Sequence, residues 1–530
     1  MRRWNGWGDA AIEYPIPANA PAYLAQRVGA ATPTEDCSWD AAVAKVPVSR
    51  LPEHPHLQRD AATRLLHSFG QSLPDWLALR FGVFQHLTDG VWLARDDDDI
   101  RAALNFAAEN NARVIIYGGG TSVVGHLTPP DDAVYLTLSL ARLCKLKTLR
   151  RDDRLAQFDA GVTGPVLEAQ LRAHGFTLGH FPQSFEFSTL GGWVATRSSG
   201  QQSHRYGRIE QLFAGGGVIG AENSLDIAPF PASAAGPDLR EWLMGSEGRF
   251  GVISSAWVRI TPLPETEKFR AIFFPDWISA RNAARALAQS PITFSMLRVS
   301  NARETDTLLA LAGHPERMAW LHRYLRWRGC AENKCMMLLG LSGSVKDIAE
   351  QWQQCQALLK PFGARNTGRY IGNKWLHNRY RNVYLRNSLW ALGYAVDTVE
   401  TACHWSQVDD IVHAIENAAY NALLDENERV FAYTHLSHVY SSGSSVYSTF
   451  VFRLAPDHAT NLRRWQKLKT AVSNAIAHKG GTITHQHGVG KDHKTWFAKE
   501  KTAAGLAWIN AVRREADPRG RFSGGNLLDD

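Results

Sequence analysis

Residues 113–127 read RVIIYGGGTSVVGHL, and the fold turns on how this stretch is understood. An apolar, β-branched run predicts a strand, and the strand empties directly into Gly118, Gly119, Gly120, Thr121 and Ser122. Three residues without Cβ let backbone N–H groups come close to a pyrophosphate, and the two hydroxyls add donors. Neither G-x-G-x-x-G nor G-K-[ST] is present. Taken alone, the loop therefore reads either as a phosphate cradle or as a plain glycine turn.

Working outward, residues 91–264 carry short β-rich runs (AVYLTLS at 133–139, FGVISSAWVRI at 250–260) separated by glycine turns and helices such as 164–174, an α+β pattern expected of a nucleotide-binding domain. Before it, residues 1–90 mix proline-rich turns with helical periodicity over 61–79 and read as a helical extension without chemistry of its own. After PLPE at 262–265, residues 265–530 alternate strands (MMLLGLS, VYSTFVFRL) with helices (WSQVDDIVHAIENAAYNALL). That is the text of a helix-covered sheet forming a substrate domain. Its last stretch returns to glycine turns at HKGGTITHQHGVGKDH, residues 478–493.

With 530 residues, 45% hydrophobic and 21% charged, the chain has the composition of a folded enzyme of several domains. A net charge of +7 favours anionic ligands, nucleic acid or acidic lipid surfaces without choosing among them; no nucleic-acid partner is expected. The six cysteines show no zinc or dithiol spacing and are expected to be reduced thiols. WNGWGDAAIEYPIP lacks a signal-peptide apolar stretch and no run reaches the roughly 18 residues needed to span a bilayer, so a cytoplasmic address is expected.

Company gives the glycine loop its meaning. DAGVTGPVLEAQLRAHGFTLGHFPQSFEFSTLGGWVATRSSGQQSHRYGRIEQL (159–212) and WLMGSEGRFGVISSAWVRITPLP (242–264) resemble the vanillyl-alcohol-oxidase-type (PCMH) FAD-binding domain. GHFPQSFEFSTLGGWVATRSSGQQSHRYG (179–207), with RRWNGWGD at 2–9, is similar to the alkylglycerone phosphate synthases in particular. The likeness implies an α+β flavoprotein with a cap domain. It also implies exchange of the acyl chain of acyl-dihydroxyacetone phosphate for a fatty alcohol, an ether-lipid synthesis without net redox change, and a homodimer. An FAD-linked oxidase or dehydrogenase of a hydroxy acid or alcohol is the alternative.

Carried over by motif, the FAD contacts are Ile116, Tyr117, Gly118, Gly119, Gly120, Thr121 and Ser122; Gln183, Ser184, Phe185, Glu186, Phe187, Ser188 and Thr189; Thr196, Arg197, Ser198 and Ser199; and Glu247, Gly248, Arg249, Phe250, Gly251, Val252 and Ile253. Some relatives bind flavin covalently through a histidine after two loop glycines. Here that position is Gly120, so FAD is expected to be noncovalent, and His126 downstream reads as a loop or supporting histidine.

The same resemblance assigns Arg298 (MLRVSN) and Arg386 (YLRNSLWALGYAVDTVET) to the lipid-like phosphate substrate, since a guanidinium fork suits a phosphate. It makes Tyr447 (HVYSSGSSVYSTFVF) the acid/base, with His180, His485 and His487 as catalytic histidines that help the phenol ionise. GTITHQHGVG departs from the three successive histidines of the synthases: the middle one is Gln486, which hydrogen-bonds but does not titrate. Ser441 stands where an acidic residue is expected. His485 and His487, two apart, would share one face of a strand, and with His435 and His438 they could form a metal cluster; the reading adopted assigns no metal. In WLHRYLRWRGC, Trp320, Tyr324 and Trp327 recur at helical spacing beside Arg323, Arg326 and Arg328. The stripe fits either core packing or peripheral contact with an anionic inner membrane surface.

Overall fold

The computed structural model describes residues 2–312 and 315–529. Strand Arg113–Tyr117 lies at the edge of a four-stranded sheet in the order Leu57–Gln58, Gly90–Leu93, Tyr135–Ser139, Arg113–Tyr117. The last three run parallel, with Tyr117 opposite Ser139. Helix Asp97–Glu109 makes the crossover. Its N-cap Asp96 accepts from Asp99 N–H at 2.8 Å, and three aspartates in the first turn complement the helix dipole. The glycine loop thus leaves the sheet at the carboxyl ends of parallel strands, where ligands of α/β units gather.

A second, antiparallel sheet runs Val252–Ile253, Phe213–Ile219, Ser255–Arg259, Leu155–Asp159, Leu146–Arg150, with Ser224–Ile227 paired to Phe213–Ile219. Leu104, Val114, Leu138, Phe158, Leu167, Val218 and Val258 fill one core with helices Asp97–Glu109 and Gly164–Arg172.

The chain then builds a seven-stranded antiparallel sheet: Arg365–Asn366, Thr266–Phe274, Cys335–Gly343, Met296–Ser300, Phe431–Leu436, Gly443–Arg453, Tyr394–His404. Alternation sorts its side chains. Leu297, Val299, Leu436, Val446, Phe450 and Phe452 go to the core under helices Trp277–Ala288, Val345–Leu359 and Val408–Asn421. Among the residues between them, Arg298, His435 and Tyr447 face the cavity, while Val451 packs on helix Ala20–Val28. None of the six cysteines is paired.

One expected element differs. The periodicity over 61–79 predicts a single helical stretch, but the chain forms Ala61–Leu66 and Leu73–Phe81 with a break between. Ser72 restarts the helix in a capping box with Asp75, ahead of Pro74. The interruption frees backbone for the glycine loop: Gln71 N–H donates to Ser122 C=O at 2.6 Å, and a Cβ on Gly70 would lie 2.7 Å from that oxygen. The N-terminal extension also contributes Leu57–Gln58 to the first sheet.

Asp89 fastens this extension to the sheet. Its carboxylate accepts from Arg50 Nε and Nη2, both at 2.8 Å, and from Tyr135 N–H at 3.0 Å. Asp89→Ala leaves the buried Tyr135 amide without its acceptor and Arg50 with only Asp132 and Ala133 C=O, so unfolding by denaturant should show a loss of about 1–3 kcal/mol.

Candidate active site

One cavity of about 950 Å³ lies between the two domains, at the upper end of the range for cofactor and ligand sites. Its first wall is the glycine loop. Gly118, Gly119, Gly120, Thr121 and Ser122 line it, facing Gln183, Ser184, Ser188 and Thr189, with Thr196, Ser198 and Ser199 beyond. The glycines also serve packing. A Cβ on Gly119 would sit 1.8 Å from Phe187 C=O, and one on Gly118 would sit 2.5 Å from Thr189 Oγ1. Bare backbone is what lets the two loops touch. Helix Leu190–Thr196, capped by Thr189, starts at this wall.

His126 supports the loop from below. Its Nδ1 is 2.5 Å from Ser122 Oγ, and its Nε2 is 2.8 Å from Glu247. Glu247 also accepts from Val489 and Gly490 N–H, so the carboxylate joins the glycine loop to the C-terminal segment. Despite its burial, the neighbouring imidazole and these amides hold its pKa below the ordinary value.

The second wall comes from the large sheet. Register places His435 beside both Ser300 and Tyr447, and Glu400 opposite Tyr447; alternation turns Arg298, His435 and Tyr447 to the cavity. The Tyr447 ring stacks on His435 at 4.8 Å and meets His487 edge-on at 5.7 Å. Arg298 Nη2 donates to Glu304 at 2.7 Å and lies 3.2 Å from His435 Nδ1, which is 2.9 Å from the same Glu304 oxygen. The imidazole and guanidinium hold Glu304 down at about 2 against the pull of burial. Arg386, on helix Leu385–Ala391, lies over Trp76 at 4.2 Å and donates Nη1 to Gln71 C=O. Its Nε and Nη2 find no protein acceptor, and burial lowers its pKa to about 10.

The histidines part company with expectation. Residues 482–490 form no strand, yet His485 and His487 both turn to Glu400. His485 Nδ1 is 3.1 Å from Oε1, and His487 Nε2 is 3.9 Å from Oε2. Glu400 is fully buried and held well below the ordinary carboxylate range by these imidazoles. A carboxylate only accepts, so His485 donates from Nδ1 and receives the Tyr440 hydroxyl at Nε2, 2.6 Å away. Of this pair only His487 reaches the cavity, together with Gln486. His180 lies behind the wall, against Trp193 at 4.8 Å, with Nε2 2.8 Å from Ser198 Oγ, and burial lowers its pKa to about 3. Tyr447 therefore has His435 and His487 as ring neighbours. Burial raises the phenol's pKa, outweighing the Thr398 hydrogen bond and the Arg298 charge. The expected ionised phenol is replaced by one that keeps its proton at neutral pH.

The four histidines considered for a metal are split: His435 sits with Glu304, while His438 and His485 gather at Glu400. Among the described residues, the group whose ligand atoms lie close enough is Glu400, His438 and His485. It is joined by hydrogen bonds: Ser437 Oγ is 2.9 Å from both Glu400 Oε1 and His438 Nδ1, and His438 Nε2 donates to Gly200 C=O at 3.0 Å.

Several expected cofactor contacts lie off the cavity wall. Tyr117 is turned to Arg2; Phe185 stacks on Tyr380; Glu186 accepts from Tyr384; Phe187 meets Trp7; and Arg197 pairs with Glu210 and Glu241. Arg249, Phe250 and Val252 are buried in the protein. The reason is local: residues 183–187 and 247–250 are turns, where successive side chains do not alternate and several in a row point into protein. Ile116, Gly248, Gly251 and Ile253 do line the wall. Motif reading missed Trp7, Tyr14, Gly191, Gly192, Lys374 and Glu304, and named His435 only for a possible metal cluster. Strand phase would have found His435, and the others needed tertiary contacts. It also missed the far end of the cavity, where Leu308, Met318, Met336, Leu338, Ile371 and Trp375 form an apolar lining.

Comparisons with known proteins show the family and the fold. Residues 88–222 match the FAD binding domain model, and residues 263–527 match that of FAD linked oxidases, C-terminal domain. The alkyldihydroxyacetonephosphate synthase of Dictyostelium discoideum is 28% identical over 86% of this chain and 75% of its own length. That of Trypanosoma brucei brucei is 26% identical over 99% and 92%. A solved alkyldihydroxyacetonephosphate synthase structure superposes with a TM-score of 0.83 at 23% identity, covering 98% of both chains, and shares the fold.

The buried imidazoles make stability pH-dependent. His485 is depressed from 6.5 to about 4 by burial, so below pH 6.5 the unfolded chain binds a proton that the folded one does not. Its contribution is complete above 6.5 and is lost as pH falls toward 4, with His180 acting in the same sense. Denaturant unfolding from pH 7 to 4 should show falling stability, with a shallower slope in His485→Gln.

Proposed function

The chain belongs to the FAD linked oxidase family, and on that premise we propose that it is an alkylglycerone-phosphate-synthase-type transferase, replacing the acyl chain of acyl-dihydroxyacetone phosphate with a fatty alcohol. One observation carries the reading: a single cavity joins a glycine-and-hydroxyl wall, two arginines beside a buried tyrosine, and an apolar end. Dinucleotide, phosphate, reacting carbon and hydrocarbon chain each have a matching surface.

FAD fits the first wall. The wall offers loop amides at 118–122, the hydroxyls of Ser188, Thr189, Thr196 and Ser198, and a buried Ser199 Oγ with no protein partner. When bound, the flavin supplies the group that holds the substrate carbon while one oxygen substituent leaves and another enters. With glycine at 120, it is held without a covalent bond.

Arg386 offers two unpartnered N–H donors to the phosphate, and Arg298, fixed by Glu304, adds positive charge near the reacting centre. Tyr447 holds its proton, so its hydroxyl donates a hydrogen bond to the departing carboxylate, which leaves as its anion. His487, neutral and 5.7 Å away ring to ring, accepts the proton of the entering alcohol. Gln486 orients but carries no proton. The apolar end takes the chain and keeps water from the site. Tyr447→Phe should lower ether-lipid formation from labelled fatty alcohol by about 100-fold or more with FAD uptake unchanged. A wild-type enzyme that leaves the flavin reduced and demands an electron acceptor would sink the transferase reading in favour of a dehydrogenase.

No described helix is long and apolar enough to cross a membrane. The proposal for lipid access is peripheral contact of a cytoplasmic, homodimeric enzyme through helix Pro315–Trp327. Leu321 and Leu325 face inward and Met318 lines the cavity, while Trp320 and Trp327 are 65% and 78% exposed beside Arg323 and Arg326. Vesicles containing phosphatidylglycerol should sediment the wild type and lose Trp320→Ala/Trp327→Ala; equal sedimentation of both would reject this helix as the contact.

A further inference from the structure

The octapeptide RRWNGWGD brings Trp7 to the cavity wall, and the placement of its other residues suggests a further task. It closes on itself: Arg3 N–H donates to Gly8 C=O at 2.7 Å, and Arg2 pairs with Asp9 in an antiparallel bridge. Gly8 adopts φ +88°, and a Cβ there would lie 2.2 Å from the Tyr384 ring, so glycine is required twice over. The loop is pinned to the substrate domain by Asn387, whose amide takes Trp7 N–H at 3.0 Å and donates to Trp7 C=O at 2.9 Å. Arg80 Nε holds Asn5 C=O at 2.7 Å from the helical extension.

From this anchored loop, Arg2 reaches the other domain. Nη1 donates to Tyr117 OH and Nη2 to Gly120 C=O, both at 2.8 Å, and the guanidinium lies 6.0 Å from the Phe187 ring. One side chain therefore touches both loops of the first wall. The peptide is planar and trans, so a Gly120 carbonyl held on the Arg2 side turns the following N–H, that of Thr121, the opposite way. Thr121 lines the cavity. Gly120 has φ +62°, and a Cβ there would come within 2.7 Å of Arg2 Nη2, so the latch and the third loop glycine fit one another.

We infer that residues 2–9 are a latch of the cofactor site, in which Arg2 is a positioning residue that fixes the glycine loop with its amides toward the nucleotide. The inference rests on the FAD reading, and the experiment separates the two. FAD dissociation constants are measured by flavin fluorescence on full-length apoprotein of the wild type, Arg2→Ala and Arg2→Lys, with thermal unfolding of each apoprotein alongside. Arg2→Ala should weaken FAD binding about tenfold or more, Arg2→Lys should recover part of the loss, and the apoprotein melting temperatures should agree. A wild type that binds FAD while Arg2→Ala binds within about twofold of it overturns the latch. A wild type that takes up no FAD overturns the flavin reading and the latch with it. If Arg2→Ala fails to fold, Arg2→Lys decides: weaker binding supports the latch and unchanged binding overturns it.

Discussion

The register of the seven-stranded sheet is the constraint on which the site depends. His435 and Tyr447 are register partners on adjacent strands, and Arg298 lies one strand further on. Because side chains alternate, a slip by one residue would send all of them into the core under the helices and bring Leu436, Val446 and Val299 to the cavity. The cost of exposing that core is what holds the polar residues in place. Packing energy in one layer thus fixes chemistry in the other.

Charge at the site follows from burial. Glu304 and Glu400 are both enclosed, and each keeps its negative charge by gathering cations or imidazoles: Arg298 and His435 around the first, His485 and His487 around the second. The imidazoles remain neutral because burial penalises their charged form. The phenol between these clusters is pushed toward retaining its proton. Such a site moves protons between neutral groups and presents fixed positive charge at Arg298, Arg386 and Lys374, an arrangement suited to a phosphate-bearing substrate in a dry cavity.

The domain interface is equally specific. Glu247 ties the glycine loop's supporting histidine to Val489 and Gly490, and Gln71 joins Ser122 on one side to Arg386 on the other. The cofactor wall and the substrate wall are therefore braced by common hydrogen bonds.

The sequence by itself determined the local elements: a β-branched run before three glycines, aspartate-capped helices, and alternating strands in the second half. Motif likeness brought out the FAD-type domain, both arginines and Tyr447, because these lie in contiguous text. What only the tertiary structure decided is which face each motif residue presents. Tyr117, Phe185, Arg197 and His180 sit inside the right segments yet turn to protein, whereas Trp7, Glu304 and His435 line the site from segments more than a hundred residues apart. Periodicity specifies a side chain's direction within its own element. The partner it meets, and so its protonation state, is set only when distant elements pack and exclude water.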